Sequence, residues 1–302
     1  MSQTVFIDGQ AGTTGLGIAA RLRDVPGITL RTIADRERKS PIARQAAMRD
    51  AALVILCLPD EAARAAVALA TALGEAAPKL LDASSAHRIA PGWTYGFAEL
   101  DPGQPARIAA ATRVANPGCY ATGAIALLHP LISAGLLAAD TRLSINAVSG
   151  YSGGGNTMIA AHEHTGGPAF ELYGLGLDHK HLPEVVVQSG LIRTPIFVPS
   201  VAHLRQGMLV SIPLFLDDLT PAHLHDCLSA FYADAEQVRV IPSDDTARLR
   251  IDTLNDTDLM ELSVHADKTG RQAVLVARLD NLGKGASGAA VQNTRLMLGI
   301  SP

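Results

Sequence analysis

The opening fifteen residues limit the fold more than any other stretch of the chain. Thr4-Val5-Phe6-Ile7-Asp8 has the composition of a short buried strand, Gly9-Gln10-Ala11-Gly12-Thr13-Thr14-Gly15 follows at once, and Leu16 to Arg23 is helical in composition. A strand that passes through a glycine turn into a helix begins a βαβ unit. Glycines permit the tight turn and let a pyrophosphate approach the backbone, where amides at the helix N-terminus hold it. The spacing here is Gly-x-x-Gly-x-x-Gly, not the commoner Gly-x-Gly-x-x-Gly, so a plain tight turn stays open and it is the flanking strand and helix that favour a dinucleotide. The pattern then continues, with strands over Thr29 to Ala34, Ala52 to Leu58 and Lys79 to Asp82 and a helix over Ala62 to Leu73. The third strand is almost wholly apolar, as a strand covered on both faces should be.

The ends of these strands carry the polar candidates. Asp35-Arg36-Glu37-Arg38-Lys39 stands where a ribose-binding residue is expected. An acidic residue there would hold a 2′-hydroxyl, whereas the basic cluster, with Arg36 as its first member, would hold a 2′-phosphate and so favours NADP over a merely solvated loop. Ala83-Ser84-Ser85-Ala86-His87-Arg88 ends the fourth strand at the carboxyl edge, where ligands bind in open α/β sheets. Arg88 is accordingly an anion-clamp candidate, with a surface arginine as the alternative.

The second centre is Asn116-Pro117-Gly118-Cys119-Tyr120-Ala121-Thr122-Gly123, followed by the apolar run Ala124 to Leu131. Proline is tolerated in the first turn of a helix and glycine allows a tight approach, which puts Cys119 at a helix N-terminus. The dipole there favours a thiolate, and thiols so placed have pKa values of roughly 3.5–7.5. Cys57, in Val54-Ile55-Leu56-Cys57-Leu58, and Cys227, in the helical His223 to Tyr232, read as packing residues. Three separated cysteines fit neither a disulfide framework nor zinc spacing.

A thiolate nucleophile needs a proton carrier that works near neutral pH, which histidine supplies. Among ten histidines, His179-Lys180-His181-Leu182-Pro183-Glu184 packs three acid–base groups into one short polar turn, although a surface loop also explains it. His203 is a weaker rival. His129, His223, His225 and His265 read as structural or surface residues. His162-Glu163-His164 lacks a third ligand at usable spacing, and no metal is expected.

Beyond Leu137 the pattern changes to alternating strands, over Leu143 to Val148, Met208 to Leu214, Arg248 to Leu254, Leu259 to Ala266 and Gln272 to Leu279. A glycine-rich loop from Ser149 to Gly155 and a helix over Asn156 to His164 lie between them. This reads as a mixed or antiparallel α+β sheet. Gly283-Lys284-Gly285-Ala286-Ser287-Gly288 precedes a final helix, Ala289 to Leu298, that could return to the first domain. A length of 302 residues favours two domains. A net charge of −4, with no basic stretch longer than Arg36 to Lys39, argues against nucleic acid. No run approaches the ~20 apolar residues of a membrane span, and the start lacks a basic leader, so a cytoplasmic protein acting on a small molecule is expected.

Taken together, the Gly9 to Gly15 turn, Asp82-Ala83-Ser84-Ser85-Ala86-His87-Arg88, Asn116-Pro117-Gly118-Cys119-Tyr120, His179 to Glu184 and Asp280-Asn281-Leu282-Gly283-Lys284-Gly285 resemble the N-acetyl-gamma-glutamyl-phosphate reductase family in its shorter form, end to end. The resemblance implies an α/β fold: a Rossmann-type NADP domain over 1–117, completed by 283–302, with an inserted α+β catalytic and oligomerisation domain of the semialdehyde-dehydrogenase kind over 118–282. It makes Cys119 the nucleophile and His181 or His179 the acid–base, His181 being favoured although spacing does not separate them. It further implies cofactor contacts at Gly9, Gly12, Thr13, Thr14, Gly15, Arg36, Ser84 and Gly285, substrate contacts at Arg88, Asn116 and Glu184, and a homodimer or homotetramer. The Arg88 segment differs from the bulkier Ser-x-Asp-Phe-Arg-like version of longer members. The implied reaction is NADPH-dependent reduction of N-acetyl-gamma-glutamyl phosphate to the semialdehyde through a cysteine thioester. Rival readings are another acyl-phosphate reductase on this scaffold, acting on aspartyl or carrier-linked aminoadipyl phosphate, and a non-catalytic NADP-binding sensor.

Overall fold

Short apolar strands alternate with helices over the first third of the chain, and each strand hands its two faces to different helices. The computed structural model describes residues 2–242 and 248–301. Two compact units form, one from Met1–Pro117 with Ala286–Pro302 and the other from Gly118–Gly285.

In the first unit, strands β1 (Gln3–Asp8), β2 (Ile28–Arg31), β3 (Leu53–Leu56), β4 (Lys79–Asp82), β5 (Thr94–Tyr95) and β6 (Arg113–Ala115) make a parallel sheet in the order β2-β1-β3-β4-β6-β5. Helices α1 (Thr13–Leu22), α2 (Pro41–Arg49), α3 (Asp60–Thr71) and α4 (Gln104–Ala110) connect them. Val5, Ile7, Leu53, Ile55, Leu81 and Val114 form one buried face with Ile18 and Leu22 of α1 and with Ala290 and Met297 of the C-terminal helix, Gly288–Leu298. Phe6, Val54, Leu56 and Leu80 pack on the opposite side with Met48 of α2 and Ala66 of α3. Fully burying each larger side chain contributes about 1.5–3 kcal/mol.

Strand order reverses between β1 and β3, so the glycine turn leaves β1 at the topological switch point, where open sheets bind ligands. Gly9 has φ +92°, and a Cβ there would lie 2.2 Å from the Cys57 carbonyl oxygen, so no other residue fits. The helix after the turn begins at Thr13, with Gly12 as its N-cap, three residues earlier than composition indicated. β2 ends at Arg31, short of Ala34, because its register with β1 runs out at Phe6 and the chain turns into a 3-10 segment, Asp35–Glu37.

In the second unit, α5 (Cys119–Ser133) is the buried centre. Pro117 stands outside it, since Gly118 is the extended N-cap (φ −80°, ψ 147°). Pro130 lies inside the helix and leaves the carbonyl of Ala126 without its usual N–H donor. The hydroxyl of Tyr232 donates to that oxygen at 2.9 Å, so the helix runs on past the proline. Cys227 donates weakly to the Pro130 carbonyl, 3.7 Å away, which accounts for its packing position.

Around α5 the chain adds β7 (Ser144–Gly150), α6 (Gly155–Thr165), β8 (Phe170–Leu172), α7 (Leu182–Ser189), β9 (Ile196–Ala202), β10 (Met208–Phe215), α8 (Pro221–Phe231), β11 (Val238–Val240), β12 (Met260–Ala266) and β13 (Gln272–Leu279). The sheet is mixed, in the order β11-β12-β13-β10-β7-β9-β8, with β11–β12 and β7–β9 parallel and the other pairs antiparallel. α5 covers one face: a Cβ on its Gly123 would sit 2.9 Å from Val210 of β10.

Arg248 to Leu254 is not a strand, although its residues alternate as one. Residues 251–256 form turns, in which the Thr253 hydroxyl donates to the Arg250 carbonyl at 3.3 Å and the Asn255 backbone N–H to the Asp252 carbonyl at 3.2 Å. Short polar side chains that bond their own backbone compete with strand pairing.

Candidate active site

In the second unit, Cys119 is the first residue of α5. Its surroundings are small on one side: a Cβ on Gly285 would lie 2.9 Å from the Cys119 Cβ. Gly285 therefore serves to leave room beside the thiol, and its amide is bonded to the Asp280 carbonyl at 2.9 Å. Glu184, only 1 % exposed, accepts the Gly118 N–H at 3.1 Å through Oε2. That bond ties α7 to the N-terminus of α5.

His181 is the N-cap residue of α7 and is 5 % exposed. Its backbone N–H donates to Nδ1 of His179 at 3.2 Å, and the two imidazoles meet edge to face with centroids 4.8 Å apart. Tyr120, next to Cys119, contacts His179 at 6.0 Å and His181 at 5.9 Å between centroids. Tyr173 adds a further ring, 5.7 Å from His179. Burial, with the charge of Cys119 adding to it, pushes the Tyr173 phenol up to about 12, and burial also raises Tyr120. Both phenols thus stay protonated, and Cys119, His179, His181, Tyr173 and Glu184 bring a thiol, two imidazoles, a phenol and a carboxylate to one part of the second unit.

His203 does not join this cluster. Its Nδ1 lies 2.9 Å from Nδ1 of His162, which stacks on Tyr151 at 4.6 Å. Among the described residues no three side chains form a metal-binding group.

The first unit holds the other candidates. Gly12 carries no side chain above the turn, and a Cβ there would meet only the Gly9 oxygen, 3.7 Å away. No acidic residue occupies the first turn of α1. Asp8, buried at the end of β1, is neutralised by Arg44, which reaches Oδ2 at 2.6 Å through Nη2 and at 3.0 Å through Nε. The turn with Thr13 and Thr14 therefore presents amides and hydroxyls without an uncompensated carboxylate behind them, as a bound pyrophosphate requires. Arg36 is exposed on the 3-10 segment, while Arg38 is engaged with Asp35 at 3.4 Å.

Around the end of β4, Ser84 donates to Asp82 at 2.7 Å and accepts from the Ala86 amide at 3.1 Å. His87 reaches the same carboxylate at 2.5 Å and stacks on Trp93. Arg88 donates through Nε to the Asn116 carbonyl at 3.1 Å. The Asn116 side chain is buried, donates to the Ala286 carbonyl at 3.1 Å and accepts from Asn293 at 3.0 Å. Burial raises the Cys57 thiol to about 12, with Asp82 and Asp8 adding to the effect, so it is an inert packing group.

Tyr173, Arg44 and the contacts of Tyr120 are the features that residue patterns missed. None of them carries a local signal; a phenol between two small loops and an arginine on a surface helix acquire their meaning from chain segments distant in sequence.

Comparisons with known proteins agree with this layout. Residues 119–281 match the profile of a family described as semialdehyde dehydrogenase, dimerisation domain. The chain is 50% identical to N-acetyl-gamma-glutamyl-phosphate reductase 2 of Pseudomonas putida, over 98% of this chain and 96% of that one. It is 49% identical to N-acetyl-gamma-glutamyl-phosphate reductase of Rhizobium meliloti, over 99% of both. Aspartate semialdehyde dehydrogenase II of Vibrio cholerae shares the fold with a TM-score of 0.73 at 16% identity, over 99% of both chains. The Candida albicans aspartate semialdehyde dehydrogenase solved with NADP does so with a TM-score of 0.68 at 12% identity, again over 99% of both.

Proposed function

The chain belongs to the N-acetyl-gamma-glutamyl-phosphate reductase family, and from that premise we propose how its residues carry the reaction. The protein is an oxidoreductase of arginine biosynthesis that reduces N-acetyl-gamma-glutamyl phosphate to N-acetyl-glutamate 5-semialdehyde. The thiolate of Cys119 attacks the acyl carbonyl, the carbon–oxygen bond to phosphate breaks, and phosphate leaves as a thioester forms. A thioester accepts hydride far more readily than a carboxylate. When bound, NADPH supplies that hydride. His181 then handles the proton on the hemithioacetal oxygen, and the carbon–sulfur bond breaks to release aldehyde and thiolate. His179, whose Nδ1 accepts the His181 N–H, orients that segment.

The observation that carries this reading is the placement of Cys119 at the head of α5 beside the His179–His181 pair, joined to it through the Glu184–Gly118 bond. The glycine turn, with Gly9, Gly12, Thr13, Thr14 and Gly15, would hold the pyrophosphate, and exposed Arg36 the 2′-phosphate. Arg88 is the proposed contact for a substrate anion. The supports for self-association are the family description and the sheet face of the second unit on which Phe170, Leu172, Ile196 and Phe215 are exposed. We place the protein in the cytoplasm, where the free thiols of Cys57, Cys119 and Cys227 stay reduced. Among the described residues no helix is long and apolar enough to cross a membrane.

The test is an assay of purified protein in the reverse direction, with NADP, inorganic phosphate and N-acetyl-glutamate semialdehyde, set against aspartate semialdehyde and against NAD. Phosphate-dependent NADPH formation with the acetylated substrate is expected. Turnover only with aspartate semialdehyde, or none, would refute the assignment.

A further inference from the structure

Tyr120 occupies a position that packing alone does not explain. It follows Cys119 by one residue, so its backbone is fixed by the same first turn of α5. Its side chain is 4 % exposed and meets rings from three other positions: His179 and His181 before α7, and Phe197 of β9, the last at 5.4 Å and 70°. A phenylalanine would supply those contacts. The hydroxyl is the extra feature: it donates to the Ser200 carbonyl at 2.9 Å. A buried hydroxyl with a fixed partner at one end prevents the ring from tilting at the other. The tilt of this ring sets the space left for both imidazoles.

We propose that Tyr120 is a positioning residue for the reaction: its hydroxyl, anchored on Ser200, locks the ring against which His179 and His181 take their angles. It touches no reacting atom and acts through the imidazoles. The inference rests on the reading of Cys119 and the histidines as the reacting groups, and it adds that the residue after the nucleophile is chosen for its hydroxyl as well as its ring.

Tyr120→Phe keeps the ring and removes the anchor. Turnover should fall about 10–100-fold, the scale of a small misplacement of a catalytic group. The Michaelis constant and NADPH affinity should stay within about twofold, because no binding contact is removed. A role confined to stability would leave acid–base behaviour alone, so two pH profiles decide the matter: that of turnover, and that of Cys119 alkylation by iodoacetamide, which needs no substrate. Both should shift in Tyr120→Phe. If both coincide with those of the unaltered protein, whatever the change in melting temperature, the proposal is wrong. Should Tyr120→Phe not fold, Phe197→Leu loosens the same ring from its far side while keeping the phenol and should shift the profiles in the same direction; unchanged profiles there overturn the proposal equally. Absence of turnover in the unaltered protein would sink the proposed reaction, and the alkylation comparison would still judge Tyr120.

Discussion

A thiol at neutral pH reacts only where its anion is favoured and a proton carrier stands close, and the head of α5 is read as such a place. Cys119→Ser should bind NADPH normally, lose nearly all turnover and form no thioester, which mass spectrometry of the protein with substrate would show; substantial activity would end the covalent mechanism. Between the histidines, we propose His181 as the proton carrier. His179 uses Nδ1 to accept a backbone amide, whereas the buried imidazole of His181 sits at the N-cap of α7. His181→Asn should therefore cut turnover by about 10²–10⁴-fold and abolish the near-neutral limb of its pH profile, while His179→Asn does less. The reverse ranking would exchange the two roles. That Cys119 heads a helix, and that His179, His181 and Glu184 crowd one short segment, was legible in the sequence because unusual residue types stand there with glycine and proline. The contacts of Tyr120 and Tyr173 were not, since each is made across distant strands and loops.

At the scale of elements, periodicity located the strands that alternate with helices and failed where a side chain bonds to nearby backbone, as at Thr253. It also gave no warning that a helix would continue through Pro130. Tyr232→Phe removes the donor that satisfies Ala126 and should lower stability by about 1–3 kcal/mol, the cost of an unsatisfied buried carbonyl, in denaturant unfolding at unchanged slope. An unaltered midpoint would mean that the carbonyl finds another donor. The β12–β13 hairpin has a pH-dependent device of its own. Asp267 accepts from the Thr269 hydroxyl and from the amides of Gln272, Thr269 and Arg271, which hold its carboxyl down to about 2. A depressed pKa stabilises the fold above the unfolded value of about 3.9, and that contribution disappears as pH falls through the folded value. Asp267→Asn should melt below the parent at pH 7, and the gap should close between about pH 4 and pH 2. A gap independent of pH would assign the effect to geometry alone.

For the molecule as a whole, one side of the second unit's sheet exposes large apolar side chains among the described residues. Leu209, Ser211, Val274 and Val276 line a groove there, and Phe215 at the strand end is 82 % exposed. Burial would by itself raise the Glu261 carboxyl, but Arg278 and Arg239 donate to it and bring it down, so this end of the face is a fixed charged cluster. If the face joins copies of the chain, Phe215→Asp together with Phe170→Asp should weaken association by about tenfold or more in sedimentation velocity. An unchanged oligomer would move the interface elsewhere. The sequence showed that strands of this region alternate but not which side stays bare, because that depends on where the helices settle. The C-terminal helix has a consequence for biogenesis. Ala290 and Met297 complete the core around Val5 and Ile7, yet all of Gly118–Gly285 must be translated first. At about 5–20 residues per second, the nascent first sheet waits on the order of ten seconds or more with one flank bare. During that interval Val5 and Ile7 lack the apolar partners that Ala290 and Met297 supply.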